Sequence, residues 1–431
     1  LYNMTLFPNT TVTEAALMRR YLRRAHDYRT LSGVFSNDVL RRVLVDDSFG
    51  YYMNAEAFAN TAYRTASAWC GRDAGTLVNS DWFGTLGTGA FLFAYGAGGG
   101  SYTSAGGVGT STDFGLYPSK AVFTCLFGSY FGDWDNNNNF LRASLASHTE
   151  SYVLSCAWAG RPQWFFHHMS LGEPIGYSAQ LSQNSTFSRY FPAGSGAGQV
   201  HVALMGDPTL RLYPVTPPSN ARGRGVPGAI EFAWDAAAGT NVLGYYLYRA
   251  TALTALFVRV TNDLLAATAF TDSGLSQGDA WTYMVRSVTL ERSPGGTYTN
   301  LSQGAFATAT AGSGAPFSPG ALEVFAPSST PLRLAWADNS DDETGFIVER
   351  ATAPAGAFSI IGSTAANENS FDDPGPLTHG AAWRYRVAAA GINATSPPGS
   401  VATVLGSAGF IETIANIFTA DVSNEMIAVP V

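Results

Sequence analysis

The sequence is poor in cysteine, lysine and charge. Its three cysteines, Cys70, Cys125 and Cys156, are an odd number among 431 residues, and no two have CxxC spacing. This pattern argues against both a disulfide framework and a cysteine-based zinc site. The only lysine is Lys120, charged residues make up 13% of the chain, and the net charge is -8. Because the basic residues, almost all arginine, form no stripe that would neutralise phosphates, nucleic acid is not an expected partner.

Long apolar runs and recognised leader patterns are also missing. No run approaches the ~18 apolar residues of a membrane-spanning helix, so we expect no transmembrane segment. The chain opens LYNMTLFPNT, without a basic region followed by an apolar core. We therefore expect a piece of a longer protein whose export signal lies upstream. The glycine-rich stretch 95–109 lacks the lysine of a P-loop and the third glycine of a dinucleotide fingerprint, so no organic cofactor is predicted.

Three stretches that interrupt the strand and helix patterns divide the chain, at 212–228, 308–320 and 404–410. Before the first of them, the helix-like EAALMRRYLRRAHDYR alternates with short apolar segments such as AFLFAYG and AVFTCLFG. This alternation predicts an α/β domain with a largely parallel sheet. The predicted divisions are an α/β domain that is incomplete at its N-terminus, two all-β domains and an apolar tail, at 1–215, 216–312, 313–406 and 407–431.

The two all-β domains are copies of one unit. Aromatic residues of the first copy recur 102 positions later, next to period-2 strands such as GYYLYRA and GFIVERA. The repeated pairs are Trp234 and Trp336, Trp281 and Trp383, and Tyr283 and Tyr385. These residues resemble fibronectin type III domains, in which a tryptophan of the second strand fills the core and a late tyrosine forms a corner. The resemblance implies two β-sandwiches that act as spacers or adhesive surfaces.

The first domain contains two apolar strands that end in glycine-rich turns. One ends Tyr95-Gly96-Ala97-Gly98, the other contains Thr124-Cys125-Leu126-Phe127-Gly128, and the domain closes with HVALMGDPTLRLYP at 201–214. These segments resemble the gingipain-like, caspase-fold cysteine peptidases. The resemblance covers roughly residues 80 to 215. It implies a caspase-like sheet flanked by helices, with Cys125 at the nucleophile position.

The resemblance fails at the catalytic base. Ala97 occupies the position of the family histidine, and alanine cannot accept a proton. Gly98 would supply a backbone N–H to an oxyanion, but Cys125 without a base is mostly thiol at neutral pH. We therefore favour a pseudo-peptidase over an enzyme. The alternative is an active cysteine endopeptidase whose base is His167 or His168.

The segment DWDNNNN places oxygen-bearing side chains at alternate positions, including Asp133, Asp135 and Asn137. Alternate oxygen ligands are typical of calcium loops, but the glycine and glutamate that an EF-hand requires are missing. We interpret the segment as a surface turn in which side chains bond their own backbone. A looser calcium site remains the alternative, and it would make the chain a calcium-dependent adhesin.

The tail is unusually apolar for a chain end, with helix-like spacing over 410–418 and a strand-like EMIAVPV at 425–431. Such residues need a covering surface, so we predict that the tail mediates self-association by adding to a sheet edge. Docking on the second sandwich of the same chain is the alternative. Together these features predict a secreted or cell-surface structural or binding protein with protein partners.

Overall fold

The protein is described by a computed structural model that covers residues 12–36, 41–49, 59–71, 77–78, 81–132, 138–159, 164–183, 202–239, 241–325, 332–377, 381–406 and 411–415. The chain forms two compact units. Unit 1 comprises residues 1–214 and 290–300, and unit 2 comprises residues 215–289 and 301–431. No helix of the described residues is long and apolar enough to cross a membrane.

Unit 1 alternates helices with short strands. Its elements are α1 (Glu14–Thr30), β1 (Val43–Asp47), α2 (Asn60–Cys70), β2 (Leu77–Val78), α3 (Trp82–Thr88), β3 (Phe91–Ala97), β4 (Gly100–Ser101), β5 (Ser104–Ala105), β6 (Gly109–Thr110), α4 (Ser111–Leu116), β7 (Ala121–Phe127), α5 (Phe140–Leu145), β8 (Ser155–Ala159), α6 (Ile175–Gln183) and β9 (Val202–Gly206). Two 3-10 helices cover Gly33–Phe35 and Phe166–Leu171.

The first helix shows why these segments fold as they do. Thr13 caps α1 by accepting a hydrogen bond from the Ala16 N–H at 3.2 Å, and Leu31 ends the helix in the left-handed conformation. Tyr21 and Tyr28, seven residues apart, lie on its buried face. Their hydroxyl groups donate to backbone carbonyls, which satisfies their hydrogen-bonding capacity inside the core.

A six-stranded sheet forms the centre of unit 1, in the order β2-β1-β3-β7-β8-β9. All neighbouring strands run parallel except β9, which is antiparallel to β8. Every residue of β3 and β7 is buried, which explains why these strands are apolar throughout instead of alternating. A small antiparallel sheet of β4, β5 and β6 follows β3.

The first sandwich packs two antiparallel sheets, with the orders β10-β11-β14 and β13-β12-β15-β16, and β17 also pairs with β15. Trp234 and Tyr245 meet in its core, with ring centroids 5.4 Å apart. Its strands are β10 (Ser219–Val226), β11 (Ala229–Asp235), β12 (Val242–Ala250), β13 (Val258–Arg259), β14 (Ala269–Ser273), β15 (Ala280–Ser293), β16 (Gly296–Leu301) and β17 (Ala305–Thr310).

The second sandwich repeats this plan, with the sheet orders β18-β19-β22 and β21-β20-β23-β24-β25. Trp336 and Phe346 occupy its core at a centroid distance of 5.4 Å. Its strands are β18 (Gly320–Phe325), β19 (Arg333–Ala337), β20 (Glu343–Thr352), β21 (Ser359–Ala365), β22 (Ser370–Asp372), β23 (Ala382–Gly391), β24 (Ala402–Gly406) and β25 (Ile411–Ala415). The prediction of a multidomain chain with an α/β part and β-sandwiches is confirmed.

Strand β15 is 14 residues long, and the tip of the hairpin it forms with β16 belongs to unit 1. We call residues 290–300 the arm. Within unit 1, the Arg41 Nη2 donates to the Glu291 carboxylate at 2.8 Å, and the Ser293 hydroxyl donates to the Ser170 carbonyl at 2.5 Å. The arm is therefore part of the folded structure of unit 1, an arrangement the linear division of the sequence did not predict.

The tail differs from the sequence-based prediction in one respect. Residues 410–418 have helix-like spacing, but 411–415 form strand β25, which pairs antiparallel with β24 of the same chain. Backbone pairing with an available sheet edge outweighs the weak helical periodicity of such a short segment. The strand-like 425–431 segment lies outside the described residues.

Candidate functional site

The carboxyl edge of the parallel sheet is where an α/β domain places reactive groups. Strands β1, β3 and β7 end there at Asp47, Ala97 and Phe127. Their hydrogen bonding continues one residue further, because Ser48 N–H donates to the Ala97 carbonyl at 2.8 Å and Gly98 N–H donates to the Phe127 carbonyl at 3.1 Å. Backbone pairing between these strands therefore continues up to the last residues before the turns.

Cys125 lies inside β7, two residues before the strand ends. It pairs in register with Tyr95 of β3 and Ala157 of β8, and none of its surface is exposed. Burial, and to a smaller extent the neighbouring Cys156 thiol, raises its pKa well above the ordinary thiol range. Cys125 is therefore a protonated core residue in this arrangement. The nucleophilic form of a cysteine is the thiolate.

The other two family positions are equally enclosed. Ala97 is fully buried and pairs in register with Phe127 instead of Cys125. The Gly98 N–H, which an oxyanion would need, is the one that donates to Phe127. A Cβ atom on Gly98 would collide with the Gly106 carbonyl oxygen, so glycine serves a close backbone approach here.

His167 and His168 lie in the 3-10 helix Phe166–Leu171, with ring centroids 4.2 Å apart. His167 also contacts the Phe165 ring, and His168 also contacts the Tyr177 ring. Burial lowers the pKa of His167, and the positive charges of His168 and Arg64 lower it further. Among the described residues, neither histidine contributes to the pKa shift of Cys125.

The proposed calcium ligands Asp133, Asp135 and Asn137 lie outside the described residues. Just after them, Asn139 is buried and caps α5, accepting hydrogen bonds from the Leu141 and Arg142 N–H groups. Among the residues that the structure describes, no group of three or more His, Cys, Asp or Glu side chains is arranged to hold a metal ion.

Asp46, at the same carboxyl edge, was not singled out from the sequence. It is 6% exposed, and its Oδ2 has no hydrogen-bond partner among the described residues. Burial raises its pKa to about 7, and the nearby carboxylates of Asp81 and Asp47 add to the shift. An aspartate at the end of the apolar strand VLVDD was the available signal, but strand alternation alone did not decide which aspartate points inward.

Two exposed tyrosines also meet at this edge. Tyr102 lies in the turn between β4 and β5, and Tyr130 lies in the turn that follows β7. Their ring centroids are 5.4 Å apart. Their positions, 28 residues apart in glycine-rich and serine-rich turns, gave no sequence signal that they would be neighbours.

Each sandwich contains a buried polar cluster that the repeat pattern revealed only in part. In the second sandwich, Arg350 donates to both carboxylate oxygens of Asp373 at 2.8 and 2.9 Å, and the Tyr385 hydroxyl donates to Asp373 at 2.5 Å. The guanidinium group also lies over the Trp383 ring at 4.7 Å. The repeated Trp and Tyr were visible in the sequence, but their Arg and Asp partners were not identified.

The first sandwich has the same cluster at equivalent positions. Asp272 accepts hydrogen bonds from Arg249 at 2.5 Å and from the Tyr283 hydroxyl at 2.8 Å. Arg249 lies over the Trp281 ring at 4.6 Å. The repeat therefore preserves a hydrogen-bonded ion pair in addition to the tryptophan of each core.

No protein-family model and no curated protein matches the chain. Among solved structures, it is similar to a two-domain fibronectin type III segment of chicken tenascin, at 11% identity over 46% of this chain and 99% of that chain, with a TM-score of 0.20. It is also similar to the chicken CNTN1 FN1–FN3 domains, at 14% identity over 48% of this chain and 75% of that chain, with the same TM-score. The strand orders of the two sandwiches, and not these matches, define their fold.

Proposed function

We propose that this chain is a structural or binding protein whose α/β unit is a catalytically degenerate gingipain-like domain. The observation that carries the proposal is the position of Cys125, inside a fully buried strand with its pKa raised by burial. A nucleophile must reach its substrate as a thiolate, and this residue is both enclosed and protonated. The two sandwiches then serve as spacers or as protein-binding surfaces.

Covalent labelling tests this proposal directly. The full chain is treated with an electrophilic peptide probe across pH 5 to 9, and modified cysteines are located by mass spectrometry. We expect no saturable labelling of Cys125. A Cys70→Ser variant removes background from the partly exposed Cys70, and Cys125→Ala is the matched negative control.

The rival function, a cysteine endopeptidase, makes the opposite claim. Its base would be His167 or His168, which would have to activate Cys125 when substrate binds. Saturable, pH-dependent labelling of Cys125 that disappears in His167→Ala or His168→Ala would establish the peptidase and overturn our proposal.

We also propose that the protein works outside the cell or on its surface and associates with itself through the end of its tail. Strand β25 already occupies an edge of the second sandwich in the same chain, which leaves residues 416–431 as the candidate assembly segment. Deletion of 416–431 preserves β25, and deletion of 410–431 removes it. If light scattering gives the same number of subunits per particle for both variants and the full chain over a wide concentration range, self-association through the tail is wrong.

A further inference from the structure

The pair formed by Tyr102 and Tyr130 is an exposed aromatic surface at the carboxyl edge of the unit 1 sheet. Tyr102 is 40% exposed and Tyr130 is 57% exposed, and their ring planes are inclined by 50°. Both rings therefore contact each other while keeping a large solvent-facing area. Aromatic side chains gain free energy when such area is covered, and their ring faces attract partially positive C–H and N–H groups.

Several backbone contacts hold the two turns in place. The Tyr102 carbonyl accepts a hydrogen bond from the Phe140 N–H at 2.9 Å, at the start of α5. A Cβ atom on Gly100 would collide with the backbone of Ser129, so only glycine allows these two turns to lie so close. The backbones of the two turns are therefore held together before any ligand arrives, which lowers the entropic cost of binding.

Tyr130 adopts a backbone conformation that disfavours its side chain. Its φ angle is 67°, in the left-handed region that residues other than glycine, asparagine and aspartate seldom occupy. Glycine would be the least strained residue at this position. The chain thus carries a large aromatic ring at a position where glycine would be less strained.

The described residues of the two turns, 98–109 and 128–132, contain no charged side chain. The hydroxyl groups of Ser101 and Ser104 lie 2.7 Å apart on the Tyr102 turn, and the exposed Ser129 immediately precedes Tyr130. Between residues 97 and 132 the sequence has only two charged side chains. Asp113 is engaged by the Thr110 hydroxyl and N–H at the start of α4, and Lys120 precedes β7, at the opposite end of that strand.

We propose that Tyr102 and Tyr130 form a binding surface for a neutral carbohydrate. A pyranose ring has an apolar C–H face that stacks on an aromatic ring, and an edge of hydroxyl groups that exchange hydrogen bonds with serine hydroxyls. An anionic ligand would find no basic side chain among the described residues of these two turns. The inference specifies the ligand of the proposed binding function and depends on it.

Binding is tested with the full chain and defined probes, namely neutral cello-, chito- and manno-hexasaccharides, by isothermal titration and by tryptophan fluorescence. We expect at least one of the three to bind saturably. Tyr102→Ala is expected to weaken that binding at least tenfold, and Tyr102→Phe to retain most of it. Tyr117→Ala removes another exposed tyrosine of unit 1 and is expected to leave affinity unchanged.

The variant Tyr130→Gly separates binding from folding. It removes the ring and also relieves the left-handed strain, so we expect a thermal midpoint equal to or above that of the original chain, together with at least a tenfold loss of affinity. Unchanged carbohydrate affinity in both Tyr130→Gly and Tyr102→Ala would overturn the proposal. So would the absence of binding to all three hexasaccharides.

A proline-rich peptide is the competing occupant of an aromatic surface. Binding of a decaproline probe that depends on both tyrosines, without carbohydrate binding, would replace the carbohydrate with a peptide and overturn the inference. The labelling assay on Cys125 is run on the same preparation. Its outcome bears on the peptidase alone, so failure of the proposed function and failure of the carbohydrate site are distinguishable.

Discussion

Asp373 of the second sandwich and Asp46 of unit 1 are both buried carboxylates beside the end of a strand. Asp373 is bonded to Arg350, Tyr385 and the backbone N–H of Gly375. The Oδ2 of Asp46 has no partner in the described chain, and its neighbours carry the same charge. Removing a buried carboxylate that has partners destabilises its domain because the partners are left unpaired, whereas a buried carboxylate without partners destabilises its domain once it ionises.

The largest expected effect is the removal of the best-partnered carboxylate. Asp373→Ala leaves Arg350 and the Tyr385 hydroxyl without their acceptor, so we expect the free energy of unfolding of the second sandwich to fall by about 3 to 5 kcal/mol. Urea unfolding of the full chain measures this loss. Asp372→Ala, which alters the exposed neighbouring aspartate, is the control and should change stability by less than about 1 kcal/mol. Equal losses in both variants would contradict the prediction.

Asp46→Asn should raise the free energy of unfolding, by an amount that depends on pH. The pKa of Asp46 is raised from 3.8 to about 7 in the folded state, so the folded state retains a proton that the unfolded state has lost. Unfolding free energy therefore falls as pH rises from about 4 to about 7. The variant lacks this decline, and we expect it to be more stable by about 2 to 4 kcal/mol at pH 8 and little changed at pH 4.

Unfolding of unit 1 across pH 4 to 8 measures this difference. Glu150→Gln removes an exposed carboxylate of the same unit and should leave the pH profile unchanged. If Asp46→Asn keeps the slope of the original chain, the carboxyl of Asp46 is not the titrating group.

Asp272→Ala sharpens the comparison between the two sandwiches. The Asp272 side chain is 9% exposed and its partner Arg249 is 31% exposed, against 0% and 15% for Asp373 and Arg350. Because solvent screens the first pair more, we expect a smaller loss of about 1 to 2 kcal/mol. Urea unfolding with the exposed Asp263→Ala as control tests it. A loss as large as that of Asp373→Ala would show that exposure does not distinguish the pairs.

The smallest effect concerns one hydrogen bond. Tyr385→Phe keeps the ring in the core and the Arg350 ion pair, and removes only the hydroxyl that donates to Asp373. We expect a loss of about 1 kcal/mol in urea unfolding. Combining it with Asp373→Ala should add almost nothing further, since the acceptor is already gone; full additivity would contradict a shared cluster.

The sequence predicted those parts of the fold that depend on spacing. Trp234 and Trp336 recur at a fixed interval because each fills the same place in a repeated core. The partners of Tyr283 and Tyr385 were harder to identify, because adjacent polar residues such as Asp372 and Asp373 point to opposite faces of a strand. A shift of one residue in register decides which of them is buried.

The candidate site was less predictable because it depends on where strands end. Gly128 correctly marked a turn after AVFTCLFG, but pairing continues through Phe127, which leaves Cys125 inside the sheet. The proximity of Tyr102 and Tyr130 arises from two turns that approach through Gly100, a tertiary contact that local patterns do not encode.

The arm affects the order in which the contacts of unit 1 can form during synthesis. During synthesis, the first 214 residues of unit 1 are made together, but its last segment, residues 290–300, is made 76 to 86 residues later. At roughly 5 to 20 residues per second, this delay is about 4 to 17 seconds. Until then, Arg41 lacks Glu291, and the surface around Gly172 lacks the Tyr298 ring that packs against it. The last contacts of unit 1 therefore form only after most of the first sandwich has been translated.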